Sequence, residues 1–209
     1  MTSVAGLLLA AGASRRMGRP KQTLFVGGQT LLDRALQQTL GSDLERVILV
    51  LGHQAGEIRR SLDTDLRHPK LKVVENPHYG KGISTSIIAG LSEIEEAFDH
   101  VMIILADMPQ VTSKLINLLI LNYLASGLPL GAVMVNERRS HPVIFSRRFY
   151  PDLHGLRGDC GARDLFLKHR EEVCLVAPAD GYEDRDIDTP RDYLELREAL
   201  SGKKDLGLI

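Results

Sequence analysis

Four cations fall within seven positions of one glycine-bearing loop: Arg15, Arg16, Arg19 and Lys21. They belong to residues 8–21, LLAAGASRRMGRPK, which start in an apolar run and turn through Gly12 and Gly18. A strand that feeds a loop of small residues lets backbone N–H groups approach a ligand closely. The cations make that ligand a polyphosphate, or else they are a solvated turn. Two carboxylates elsewhere match this chemistry. Asp107 ends the apolar run HVMIILAD, where an unpartnered carboxylate is costly. Magnesium takes one or two carboxylates plus substrate phosphates, so Asp107 reads as a metal ligand. Asp188, in DIDTP, reads as the second ligand, with Asp186 as the local alternative. Plainer roles exist for both: a turn aspartate before Pro109, and an Asp-Thr-Pro helix start.

The elements that must position these groups alternate. VAGLLLA, RVILVLG, LKVVENP and HVMIILAD read as buried strands. Between them, TLLDRALQQTL, GEIRRSL and GISTSIIAGLSEIEEAF read as helices, and TSKLINLLILNYLASG is a further helix with Thr112 or Ser113 as N-cap and Gly127 as its stop. GAVMVNE and HPVIFS are expected to be strands around a charged turn, ERRS. GARDLFLKHR is a helix, EVCLVA a strand, and TPRDYLELREAL a final helix opening near Pro190. Strands apolar on both faces and separated by helices predict an α/β fold with a doubly wound, mostly parallel sheet. An irregular antiparallel insertion is expected near residues 136–160. The expected organisation is a single domain over residues 1–200 and a flexible tail at 201–209.

In such sheets ligands sit beyond the carboxyl ends of the strands. This singles out the first loop, residues 76–86, residues 107–109 and residues 188–190. Gly80, Gly82, Ser84 and Ser86 open a helix, where small residues and hydroxyls can bond a base or ribose; Ser84 alone could be an N-cap. His141, in RRSHPVIF, is either a structural histidine or part of a second substrate site. The first loop is neither GxGxxG nor a Walker A sequence, and nothing supports hydride chemistry on a dinucleotide.

Hydrophobic residues make up 44% of the 209 and charged residues 25%, with net charge −1. That balance disfavours a nucleic-acid or membrane partner and makes the cationic loop a local feature. Cys160 and Cys174 are unpaired in pattern and read as reduced thiols of a cytoplasmic protein, with a catalytic thiol at Cys160 as the lesser alternative. The apolar start lacks the basic flank of a secretion signal.

Four ordered segments resemble the nucleotidyltransferases related to the molybdenum-cofactor enzymes. LAAGASRRMGRPK resembles their LAAGxSxRMGxPK signature, NPHYGKGISTSIIAGL their NPxxxxGxxxSxxxGL stretch, and LADMPQV their LxDMPxV stretch. RGDCGAR resembles the GDxGAR motif of the cytidylyltransferase branch. The resemblance implies a Rossmann-like nucleotidyltransferase fold. It places Arg15 and Lys21 on a triphosphate, and Leu9, Ala10, Ala11 and Gly12 beside the base and ribose. Gly82 and Ser86 would hold the nucleobase, Lys21, Arg15 and Asp107 would be catalytic, and Asp107 and Asp188 would bind Mg2+ or Mn2+. His141, Asp159 and Arg163 fall on the acceptor side, with Arg163 a bidentate phosphate clamp or a surface ion pair. Arg16 and Arg19 are read as facing solvent. Relatives tend to have Gly before the His-Pro pair, where this chain has Ser140.

The implied reaction is CMP transfer from CTP to a molybdopterin-type cofactor. The Ala-Ala-Gly loop, where the guanylyl branch has Leu-Ala-Gly-Gly, favours CTP. A molybdoenzyme or its maturation chaperone would be the protein partner. Another phosphorylated acceptor, such as an isoprenoid precursor or a sugar phosphate, is the alternative within the chemistry. A non-catalytic carrier of the cofactor is the alternative outside it, and the joint presence of Lys21 and Asp107 argues against that.

Overall fold

The structure is a computed structural model that describes residues 3–159, 161–178 and 182–202; the side chains of Arg15 and of residues 200–202 lie outside the description. Cys160 and residues 203–209 are likewise outside it, and so are the expectations placed on them.

The strands follow the apolar runs. They are β1 (Val4–Ala10), the short β2 (Phe25–Val26) and β3 (Gln29–Thr30), then β4 (Arg46–Leu51), β5 (Leu71–Glu75), β6 (His100–Leu105), β7 (Leu130–Val135), β8 (Arg138–Ser146) and β9 (Val173–Val176). The helices are α1 (Leu31–Leu40), α2 (Ala55–Arg60), α3 (Ile83–Leu91), α4 (Ser113–Ser126), α5 (Tyr150–His154), α6 (Arg163–Lys168) and α7 (Pro190–Gly202). Thr30 caps α1 by accepting from the Asp33 amide, and Thr112 caps α4 by accepting from Leu115. Gly127 ends α4 in the left-handed conformation, as its position predicts. Helix α7 begins at Pro190 and carries regular structure through Gly202, past the start of the expected tail.

Seven strands form one sheet in the order β5-β4-β1-β6-β8-β7-β9. The pairs β1 with β4, β1 with β6, β4 with β5 and β7 with β9 are parallel. Strand β8 pairs antiparallel with both β6 and β7. The antiparallel part expected near residues 136–160 therefore lies within the sheet, as β8, rather than beside it. The turn before it is Asn136-Glu137, both at positive φ, and not ERRS, whose Arg138, Arg139 and Ser140 are already in β8. Asn tolerates that conformation better than Arg, which sets the turn two residues early.

All seven residues of β1 are buried. Successive side chains point to opposite faces, so Leu8 packs with α1 and α4 residues such as Leu36 and Leu119, while Leu7 and Leu9 pack with Ile87 of α3 and Leu153 of α5. This two-sided burial fixes the sheet and brings the carboxyl ends of β1, β4 and β6 to one rim. A small β2–β3 hairpin stands apart, turning through Gly27 and Gly28 at positive φ. Its Val26 joins Leu24, Leu31 and Ile187 in a separate apolar cluster.

Candidate active site

A cavity of about 510 Å³ opens at that rim. It is bordered by the loop after β1, the start of α3, the end of β6 and the segment before α7. Its size suits a nucleotide-sized ligand. Leu9, Ala10, Ala11, Gly12, Lys21, Gly82, Ser86, Asp107, Asp159 and Asp188 all line it, so most of the residues singled out by sequence converge here.

The first loop is held from beneath by a residue the sequence reading passed over. Gln22 is buried, and its Nε2 donates to the Ala10 carbonyl at 2.8 Å and the Gly12 carbonyl at 3.0 Å. The His53 amide donates to the Ala11 carbonyl at 3.1 Å. The carbonyls of all three loop residues are thus tied to protein donors, and none is left to repel an incoming phosphate. Ser14, in the left-handed conformation, accepts from the Lys21 amide at 3.0 Å and closes the loop. Gly52 sits behind Ala11; a Cβ there would meet the Ala11 methyl at 2.8 Å and Tyr79 Cβ at 2.6 Å, so only glycine lets the two loops approach.

Lys21 lies between the two aspartates. Its Nζ donates to Asp107 Oδ2 at 2.5 Å and to Asp188 Oδ1 at 3.0 Å. Burial lowers the affinity of the Lys21 amine for its proton, but the two carboxylates reverse this and hold it above the usual lysine value. Arg16, read as facing solvent, is mostly exposed, yet its Nη2 reaches Asp188 Oδ2 at 2.6 Å. Asp188 carries two cations because its second oxygen is turned outward. Arg19 is exposed.

Asp188 is placed by its neighbours. The Ile187 amide donates to the Asp107 carbonyl at 2.9 Å, and the Ile187 side chain is buried among Leu24, Val26 and Leu31. The Asp188 and Thr189 amides both donate to Oδ2 of Asp192, in the first turn of α7. Asp188, rather than Asp186, is the residue that reaches Lys21.

Across the cavity, Gly82 has φ of 107°, and a Cβ on it would strike the Gly158 carbonyl oxygen at 2.3 Å. This close approach seats residues 158–159 on the start of α3, where the Ser84 amide donates to Gly158 at 3.2 Å. The Ser86 hydroxyl accepts from Asn76 Nδ2 at 3.0 Å. Asn76, buried and bonded also to Thr85 Oγ1 and the His78 amide, organises this wall. Gln22 escaped sequence reasoning because its work is buried bonding to backbone carbonyls, for which an isolated amide residue gives no pattern; Asn76 opens the segment 76–86 singled out by sequence, but its organising role there was not read.

His141 and Arg163 do not border the cavity. His141 is largely buried on β8 with its Nδ1 unpartnered among the described residues. Burial first, then the Arg139 charge, lowers its pKa to about 4 against a weaker pull from the Ile103 carbonyl and Asp107. Ser140, at the position where relatives tend to have Gly, is buried and paired with Val133. Arg163 begins α6 and is exposed.

Two carboxylate oxygens that converge on one ammonium form a hard-oxygen donor pair. Among the described residues no group of three or more His, Cys, Asp or Glu converges. That set fits a magnesium or manganese ion completed by substrate phosphates, and does not fit an all-protein metal cage. Among the described residues no helix is long and apolar enough to cross a membrane.

A family model described as MobA-like NTP transferase domain matches residues 6–173. The chain is 32% identical to the purine catabolism protein PucB of Bacillus subtilis strain 168, over 94% of this chain and 97% of that protein. It is 24% identical to the molybdenum cofactor cytidylyltransferase of Escherichia coli K12, over 95% of this chain and 97% of that one. The crystal structure of Rv0371C from Mycobacterium tuberculosis H37Rv in complex with manganese is 28% identical, with a TM-score of 0.77 over 95% of this chain and all of that one.

Proposed function

The chain belongs to the MobA-like NTP transferase family, and from that premise we propose that it transfers CMP from CTP to the phosphate of a molybdopterin-type cofactor. It is a nucleotidyltransferase, so the finer matters are the nucleotide and the acceptor. In the proposed reaction an acceptor phosphate oxygen attacks the α-phosphorus of CTP. The bond from the α-phosphorus to the bridging oxygen breaks, a new phosphoanhydride forms, and pyrophosphate leaves with the electron pair. Both partners are anionic, so the protein's work is charge neutralisation and alignment.

The observation that carries this reading is Lys21 held between Asp107 and Asp188 beneath the Ala10–Gly12 backbone. Asp107 and Asp188 would hold the Mg2+ or Mn2+, which when bound supplies Lewis-acid neutralisation of the phosphates. Lys21, whose Nζ lies between the two carboxylates, would serve the triphosphate. Arg15 stands one position from Ser14, which closes the loop, and serves the same phosphates. Leu9 to Gly12 hold the base and ribose with Gly82 and Ser86 opposite. Ala11, which lines the cavity and packs against Gly52, stands where the guanylyl branch has glycine, and this difference is read as favouring a pyrimidine. His141, Asp159 and Arg163 serve the acceptor.

Pyrophosphate release measured with CTP, GTP and ATP tests the nucleotide. The expected result is a CTP preference of at least about tenfold in kcat/KM; a GTP preference overturns it. The greater identity to PucB than to the cytidylyltransferase supports a second reading, in which the same transfer goes to a different phosphorylated acceptor. Competition between candidate acceptors in the same assay separates the two.

A further inference from the structure

Helix α1 touches both of the segments that carry Lys21 and Asp107. Its first residue, Leu31, donates its amide to the Leu24 carbonyl at 2.9 Å, just past the Lys21–Thr23 turn. The Leu31 side chain borders the cavity and packs with Ile187, whose own amide donates to the Asp107 carbonyl. Further along the helix, Ala35 and Leu36 share a buried cluster with Met108 and Val111. One helix is therefore a common frame for the ammonium and the carboxylate of the site.

Arg34, half-buried on α1, is the polar part of that frame. Its Nε donates to the Pro109 carbonyl at 3.0 Å, and among the described residues this is its one hydrogen bond. One turn on, Gln38 Oε1 accepts from the Ser113 amide at 2.9 Å. Residues four apart share a helix face, so one stripe of α1 grips both ends of the segment 109–113. The backbone around Asp107 explains why that grip matters. On the incoming side, the Ala106 amide donates to the Leu9 carbonyl at 3.1 Å, and the Met108 amide turns back to the Leu105 carbonyl at 3.3 Å. Pro109 has no N–H, so its carbonyl is its whole backbone bonding capacity, and Arg34 takes it. Beyond Met108, this is the first hydrogen bond from the Asp107 turn to another element among the described residues.

We propose that Arg34 is a positioning residue for the Asp107 carboxylate, fixing the turn through Pro109 so that Asp107 and Asp188 share one divalent ion. This rests on the nucleotidyl-transfer reading and deepens it. Arg34 does not border the cavity; it acts through the backbone. Magnesium demands near-ideal geometry at about 2.0–2.1 Å, so a small displacement of a ligand-bearing turn lowers affinity. Groups that orient metal ligands from outside are worth about 10–100-fold in metal affinity. A guanidinium suits the task because its Nε–H is held in a rigid plane and is aimed at one carbonyl, whereas an ammonium on a flexible stem is not.

The test uses the full chain with Mn2+ alone as the probe, free Mn2+ being read by electron paramagnetic resonance. Metal half-saturation and the KM for CTP at saturating metal are then read separately in pyrophosphate release. Arg34→Met keeps the aliphatic stem and removes the donor. It is expected to weaken Mn2+ binding about tenfold, to raise metal half-saturation by a similar factor and to leave the KM for CTP unchanged. Arg34→Lys is expected to recover part of the loss. Gln38→Leu, which frees the end of the segment farther from Asp107, is expected to weaken Mn2+ less than Arg34→Met. In an Asp107→Asn background, Arg34→Met should change Mn2+ binding no further, because the two act as one unit. Wild-type Mn2+ affinity in Arg34→Met overturns the proposal, even with a lowered melting temperature, since Arg34 would then be a structural bond only. An undiminished effect of Arg34→Met in the Asp107→Asn background overturns it as well. Mn2+ binding that Asp107→Asn leaves untouched would instead contradict the metal site of the proposed reaction itself.

Discussion

Lys21 Nζ sits 2.5 Å from Asp107 Oδ2, joining the loop after the first strand to the end of the fourth strand of the parallel core. In the proposed reaction this ammonium serves the triphosphate and the two carboxylates hold the metal, so groups with different partners in the reaction are here bonded to one another. Lys21 and Arg16 offset the charges of Asp107 and Asp188.

Removing either partner should be costly in a distinguishable way. Asp107→Asn and Lys21→Met should each lower kcat by about 100-fold or more, read as pyrophosphate release. Lys21→Met also leaves two facing carboxylates without their ammonium, which lowers stability by up to about 3 kcal/mol. Its melting temperature should therefore rise more than that of the wild type on adding magnesium. Equal magnesium shifts in the two proteins would contradict the shared-cation arrangement.

Gln22→Leu tests whether the buried amide holds the nucleotide loop. Losing both bonds leaves the Ala10 and Gly12 carbonyls unsatisfied, at about 2 kcal/mol, which lowers the melting temperature by about 5 °C. The KM for nucleotide should rise with kcat little changed, since the loop binds ground and transition states alike. A fall in kcat at constant KM would place Gln22 in the chemistry instead.

Gly82→Ala should be more damaging than an ordinary helix-start substitution. Its φ of 107° strains any side chain by about 1–3 kcal/mol, and the new methyl meets the Gly158 carbonyl. Thermal unfolding and nucleotide KM should worsen together. Wild-type values for both would show that residues 158–159 do not rest on the start of α3.

His141 gives a pH signature. Its pKa is about 4 in the folded protein and near 6.5 unfolded. The unfolded chain thus takes a proton first as pH falls. The contribution to stability is complete above about pH 6.5, declines as pH drops, and is exhausted near pH 4, where the folded imidazole protonates too. The full effect is about 3 kcal/mol. Urea unfolding of the wild type should show more loss between neutral and mildly acidic pH than that of His141→Leu. Parallel profiles would refute the buried neutral imidazole.

The parts of this architecture legible in sequence are those with a periodic or positional signal. Residues 4–10 read as a buried strand because all seven are apolar or small, and Thr112 and Gly127 read as helix ends because capping chemistry is local. Asp107 could be named because a carboxylate ends an apolar run at the rim where ligands sit, and Lys21 and Asp188 because a cationic glycine loop and a second carboxylate match the same polyphosphate chemistry and the family resemblance. Their mutual contact could not be read, since 86 residues separate Lys21 from Asp107 and only the sheet order brings them together. The Gly27-Gly28 hairpin has a signal in its dipeptide between strand-like residues. The placement of β8 between β6 and β7 had none, because the side-chain alternation of an antiparallel strand buried on both faces looks like that of a parallel one. Arg16 was read as solvated from its position in a basic turn; its bond to Asp188 spans 172 residues and depends on Ile187 anchoring the later segment.

A crystal structure of the protein soaked with CTP and magnesium tests the central claim most directly. The account predicts triphosphate density beside Lys21, a metal ion joined to Asp107 and Asp188, and the cytosine against the Ala10–Gly12 backbone. Lys21 should have left at least one carboxylate for the phosphates. Nucleotide bound elsewhere, or Lys21 still bridging both aspartates with the triphosphate in place, would contradict it.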